Sequence, residues 1–152
     1  MYDMEGLPDK KLLDTFKKSV SSDSVLSITP TCANENLRKK YRDFFFSNEQ
    51  LEEILDYMEN LKIKSEVYFS RVPGVSTEEN KKSEEYAKYL ENKYKYITFA
   101  YTFDLEVVPA SIWSLAPGKY GLSNIKRNFA DYYEYTKDIE NSFENTKIFM
   151  NL

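Results

Sequence analysis

YITFAYTFDLEV, residues 96–107, is the stretch on which the fold turns. Ile97, Phe99, Tyr101, Phe103, Leu105 and Val107 take every second position, and Tyr96, Thr98, Ala100, Thr102, Asp104 and Glu106 take the others. Successive side chains of a strand point to opposite faces, so the pattern predicts a strand with one apolar and one mostly polar face. A sheet of such strands packs helices on one side and leaves the other wet or partly covered.

The pattern changes period on the amino-terminal side. From Thr77 to about Lys93 the spacing is helical, with Tyr86, Ala87, Tyr89, Leu90 and Tyr94 on the buried side. Ser76 and Glu79 match a capping box, and Glu78–Lys82 and Glu84–Lys88 stand at i,i+4. Pro73-Gly74 breaks the chain before it. Lys62–Val72 alternates, with Ile63, Val67 and Phe69 on one face, and predicts another strand. Strand, helix and strand from Lys62 to Val108 then form one right-handed crossover unit.

Further out, Ser47 and Gln50 form a second capping-box pattern ahead of the stripe Leu51, Ile54, Leu55, Met58 and Leu61. Asn34–Phe46 has helical spacing through Leu37, Tyr41, Phe44 and Phe45. Val25–Thr29 predicts a short strand ended by Pro30, and Asp9–Val20 a helix that starts just after Pro8. Beyond the central strand, a short helix is expected around Trp113. A long one is expected on the stripe Ile125, Phe129, Tyr132, Thr136, Ile139 and Phe143. Residues 147–152 read as a last strand or a docked tail. The expected fold is α+β: a small mixed sheet with helices packed on one face, a two-layer sandwich, in a single domain over residues 1–152.

Composition narrows the function. Apolar residues make up 41% and charged residues 30%, a globular balance. The 13 Tyr and 10 Phe reflect either AT-rich coding or a tyrosine-rich contact surface. A net charge of −4 argues against direct nucleic-acid binding and suits a partner with a basic surface. Cys32 is the one cysteine, no apolar run is long enough to span a membrane, and the start lacks a signal core, so a cytoplasmic location is expected.

The chain has no histidine. Ser–His and Cys–His nucleophile pairs, imidazole proton shuttles and histidine-based zinc sites are therefore excluded within it. The four glycines, Gly6, Gly74, Gly118 and Gly121, form no phosphate-cradling loop. No cofactor and no catalytic residue is assigned. The remaining chemistry runs on carboxylates, Lys, Arg, Tyr or Ser, with or without magnesium.

Four features remain as candidates. Glu49, Glu52, Glu53, Asp56 and Glu59 fall opposite the apolar stripe of their helix, and no Lys or Arg lies between Asn48 and Leu61. This acidic row is expected either to be solvated or to dock a basic protein surface, with Lys62 and Lys64 as candidate internal counter-ions. The run Arg38, Lys39, Lys40 and Arg42 reads as a solvated basic face or as an internal partner of the acidic row. Asp104 and Glu106 share the polar face of the long strand. They are the candidate ligands of a magnesium-dependent enzyme assisted by Lys64 or Arg71, against the plainer reading of a solvent-facing pair matched by cations across the sheet. Trp113, Tyr133 and Tyr135 are candidate aromatic anchors for a partner.

The profile is small, acidic, histidine-free and rich in Tyr, Asn and Lys, and in composition it resembles phage or mobile-element accessory proteins and bacterial immunity proteins. The expected function is a protein-binding or inhibitory module using the acidic helix and aromatic residues. The alternatives are the magnesium enzyme on nucleic acid or nucleotides, and a structural or assembly protein that forms homo-oligomers.

Overall fold

Asp9 caps the first helix by accepting the Leu12 N–H at 2.6 Å, and Ser47 caps the third through both arms of the expected capping box with Gln50. The computed structural model in which these bonds occur describes residues 2–4, 6–41, 44–71, 75–104, 112–120 and 130. The chain divides into two compact units, Met1–Leu105 and Glu106–Leu152. The first unit contains β1 (Tyr2–Met4), α1 (Lys10–Ser19), β2 (Val25–Thr31), α2 (Glu35–Tyr41), α3 (Asn48–Asn60), β3 (Lys64–Arg71), α4 (Thr77–Lys93) and β4 (Ile97–Asp104). In the second, the described elements are α5 (Ile112–Leu115), which includes Trp113, and a 3₁₀ turn over Pro117–Tyr120.

The architecture is a small α+β fold. Its strands lie in the order β1-β2-β3-β4 and each neighbouring pair is parallel. The expected mixed sheet is thus purely parallel among the described strands. The reason is connectivity: a helix intervenes between every two strands, and crossover connections join parallel neighbours where hairpins join antiparallel ones. The right-handed rule for such crossovers, applied in unbroken sequential order, predicts that α1, α3 and α4 share one face.

Burial agrees with that arrangement. Leu26 and Ile28 of β2, Val67 and Phe69 of β3 and Ile97 of β4 sit at alternate positions. They join Leu13 of α1, Leu51, Leu55 and Met58 of α3, and Ala87 and Leu90 of α4 in one core. Ile28 pairs with Val67, which pairs with Phe99, so the apolar rows are in register. The opposite row holds Ser27, Glu66 and Thr98 in register, the polar face expected from the alternation.

Four local expectations differ. β1 was not anticipated, because three residues give no detectable alternation. β2 continues through Pro30 to Thr31, and the missing proline N–H falls where the register slips between Ile28 and Thr31. α2 ends at Tyr41, so the following phenylalanines leave helical spacing. Phe44 is 60% and Phe45 46% exposed, and Phe46 alone enters the core. On α4 the Ser76 arm of the expected capping box forms, but the Glu79 carboxylate instead accepts from Asn34 and Lys82. The long helix expected on 125–143 and the tail at 147–152 lie outside the described residues, except for Ala130, which is helical.

Candidate functional site

The acidic row occupies the outer side of α3, where α4 runs beside it. Leu51, Leu55 and Met58 turn inward, and the 3.6-residue period therefore turns Glu49, Glu52, Glu53, Asp56 and Glu59 away from the core. On α4, Tyr86, Tyr89 and Lys93 stand three and four residues apart along one edge, with Tyr94 at the cap. Glu52 accepts hydrogen bonds from the hydroxyls of Tyr86 (3.0 Å) and Tyr89 (3.1 Å) and from the Lys93 ammonium (3.0 Å). The Tyr94 hydroxyl donates to Asp56 at 2.7 Å, and Lys93 lies 3.4 Å from the same carboxylate. Glu53 pairs with Lys10 of α1 at 2.8 Å. Glu59 accepts the backbone N–H groups of Lys95 and Tyr96, each at 3.1 Å.

The row is therefore matched in part within the chain. Its counter-ions are Lys10 and Lys93. Of the expected candidates, Lys64 pairs instead with Asp23 at 2.9 Å, and Lys62, just past the end of α3, pairs with none of the five acids among the described residues. Tyrosine hydroxyls supply most of the other donors. Sequence reasoning placed Tyr86 and Tyr89 on the buried side of their helix. Their rings do cover the core edge, where Phe69 meets Tyr86 edge-on at 5.8 Å, but their hydroxyls reach the carboxylates. An aromatic ring with a polar tip suits this boundary. The detectable signal was the spacing Tyr86, Tyr89, Lys93 opposite Glu52 and Asp56.

The site's electrostatics follow from these contacts. Burial, and then the charge of Glu52, push the Tyr86 hydroxyl well above its ordinary pKa. Burial likewise raises Tyr94, with Asp56 adding to it and Lys93 opposing it. Contact with Tyr94 and then Glu52 raises Lys93. At neutral pH Tyr86 and Tyr94 thus stay protonated and Lys93 stays charged. Five carboxylates meet two ammonium groups, an excess of three negative charges. Three of the acids stay open to solvent: Glu49, Glu53, whose side chain is 64% exposed, and Asp56, at 56%. Tyr89 is 49% exposed and stacks on Tyr86, with ring centres 6.0 Å apart.

Against protein-family models, curated proteins and solved structures, the chain matches none. The site accordingly rests on its own geometry.

The other candidates separate. Arg38 was grouped with the solvated basic run, but it is fully buried. Its guanidinium donates to the carbonyls of Pro30 (3.1 Å), Cys32 (2.7 Å) and Phe46 (2.8 Å) and to Asn48 Oδ1 (2.7 Å), and it packs over the Phe46 ring. Those bonds grip both sides of Thr31, whose φ of 71° is unusual for a β-branched residue, in a tight turn closed by the Cys32 N–H to Pro30 carbonyl bond. Lys39 and Lys40 are exposed and lie over the rings of Phe45 and Tyr41. The buried Cys32 thiol donates to the Asn34 carbonyl.

Asp104 ends β4 in register with Arg71, whereas Lys64 begins β3 at the opposite end of the sheet. Parallel pairing thus sets Lys64 at the other end of β3 from the residue that faces Asp104. Arg71 instead lies 3.8 Å from Glu84. Glu106 lies outside the described residues, as do Tyr133 and Tyr135, and among the described residues no cluster of three metal-ligating side chains occurs. Among them, too, no helix is long and apolar enough to cross a membrane.

Proposed function

We propose that the chain is a cytoplasmic protein-binding module, inhibitory towards its partner, that docks a basic protein surface onto the outer face of α3 and the adjoining edge of α4. The supporting observation is the Glu52–Tyr86–Tyr89–Lys93 cluster. It fixes carboxylates and an exposed tyrosine on a face that retains an excess of negative charge. Binding costs side-chain ordering, and a face ordered in advance by its own hydrogen bonds avoids part of that cost. Charge complementarity then speeds encounter and selects for Lys- and Arg-rich partners, while Tyr89 supplies apolar area.

The basis of this reading is residual charge on a preordered face, not a row of unsatisfied acids. Glu49 and Glu53 are its adjustable parts, because both are exposed and neither belongs to the tyrosine cluster. Quantitative capture from native-host cells, with the chain as bait, tests it. The wild-type bait is expected to retain a partner with a basic surface, with affinity that falls as salt rises. The Glu49→Lys, Glu53→Lys double variant is expected to lose that partner by at least about tenfold while melting within a few degrees of wild type. Equal capture by both baits would remove α3 from the interface.

A further inference from the structure

A cleft of about 240 Å³ opens at the amino-terminal edge of the sheet, lined by the end of α1, the loop to β2 and the start of β3. Its polar wall holds Lys17, Lys62 and Lys64 with Ser21, Ser22 and Ser24, and its apolar wall holds Phe16, Val20 and Ile63. The chain as a whole carries a net −4, yet three lysines line this cleft, and Asp23 is bonded to one of them, Lys64, at 2.9 Å. A cleft lined by one sign of charge concentrates its field on a small volume.

Lys62 adds a second, independent observation. It occupies the left-handed position after α3, with φ of 53°. The Lys62 N–H bonds the Glu59 carbonyl and the Ile63 N–H bonds the Met58 carbonyl, each at 3.0 Å, which is the Schellman closure that ordinarily takes glycine. A lysine here is conformationally costly. Its carbonyl accepts from Lys17 at 3.2 Å, which ties two of the cleft's lysines together. Among the described residues the Lys62 ammonium has no hydrogen-bond or ion-pair partner.

We infer that this cleft binds a small phosphate monoester: the dianionic phosphate between the three ammonium groups and the serine hydroxyls, and a small apolar body against Phe16, Val20 and Ile63. Charge-assisted hydrogen bonds from lysine to phosphate are among the stronger polar contacts available. The volume is below that of drug-sized pockets, roughly 300–1,000 Å³, so the ligand is small. The site lies on different residues from the α3 docking face and does not depend on it.

Titration of the full chain with phenyl phosphate and with inorganic phosphate, at fixed ionic strength and followed by backbone amide NMR, tests the inference. Saturable one-to-one binding is expected, with shifts confined to residues 16–24 and 61–65 and the ester tighter than inorganic phosphate. Lys62→Gly separates ligand from fold: it relieves the left-handed strain, so the variant is expected to melt higher while ester affinity falls about tenfold. Asp23→Asn removes the competing carboxylate and is expected to tighten binding. Unchanged affinity in Lys62→Gly, inorganic phosphate binding as tightly as the ester, or shifts spread over Lys39, Lys40, Lys81 and Lys88 would each overturn the site.

Discussion

Replacing the Arg38 guanidinium with an apolar side chain of similar length withdraws its donors from four acceptors, the carbonyls of Pro30, Cys32 and Phe46 and Asn48 Oδ1, of which the Pro30 carbonyl keeps the Cys32 N–H. Unsatisfied buried acceptors cost about 1–3 kcal/mol each, partly relieved by relaxation, so Arg38→Met is expected to destabilise by at least about 3 kcal/mol in urea unfolding. Lys39→Met, one residue on and exposed, is expected to stay within about 0.5 kcal/mol of wild type. A shift of similar size for the two variants would mean that Arg38 does not hold the Thr31 turn. Nothing in the run Arg38-Lys39-Lys40 separates the first residue from the others in sequence, because burial of an arginine depends on carbonyls brought in from the end of β2 and the start of α3. The Ser47–Gln50 box, by contrast, is local chemistry over four residues and was fully legible. Ser47→Ala is expected to cost about 1 kcal/mol by the same measurement.

Between elements, three of the groups that join α3 and α4 hold their protons more tightly than usual. Tyr86 and Tyr94 lie above their ordinary value of 10.0, and Lys93 above 10.5. The folded state holds these protons more tightly than the unfolded chain does. The resulting stability is fully present below the ordinary values and is lost as pH rises above about 10 through the shifted ones. Thermal melts are expected to be flat from neutral pH to the onset of that range and to fall beyond it, and Tyr86→Phe with Tyr94→Phe is expected to flatten the fall. An unchanged alkaline slope in that double variant would place the cause elsewhere. The elements themselves were unevenly readable. Thr77–Lys93 matched at both ends because Ser76 and the polar pairs mark a helix without tertiary help. Of those pairs Glu78–Lys82 forms at 3.6 Å, while Glu84 turns to Arg71 on the neighbouring strand. The helix expected to run to Phe46 stops at Tyr41, because apolar spacing through Phe44 and Phe45 looks the same whether the rings enter the core or face water.

For the molecule as a whole, strand order decides where a site can form. Open parallel sheets usually bind ligands at a crevice where the strand order reverses. The order β1-β2-β3-β4 contains no reversal, and at the carboxyl end of β2 Thr31, Cys32 and Arg38 are buried together. That favours the outer helix surface, and on it the α3–α4 face, as the docking surface proposed for the first unit. Alternating apolar positions in residues 96–107 foretold a strand, of which Ile97–Asp104 is described. The parallel direction was not foretold, since β1 is too short to read and strand direction is set by connections, not by faces. The acidic row was visible in sequence, but its matching by Tyr86, Tyr89, Tyr94 and Lys93 was not, because those partners lie more than thirty residues away. Carbodiimide labelling of carboxyl groups, free and in complex with the captured partner, reads the α3 face directly. Glu49, Glu53 and Asp56 are expected to be protected in the complex while Asp23 and Glu91 label unchanged; equal labelling of the three α3 acids with and without partner would contradict the account.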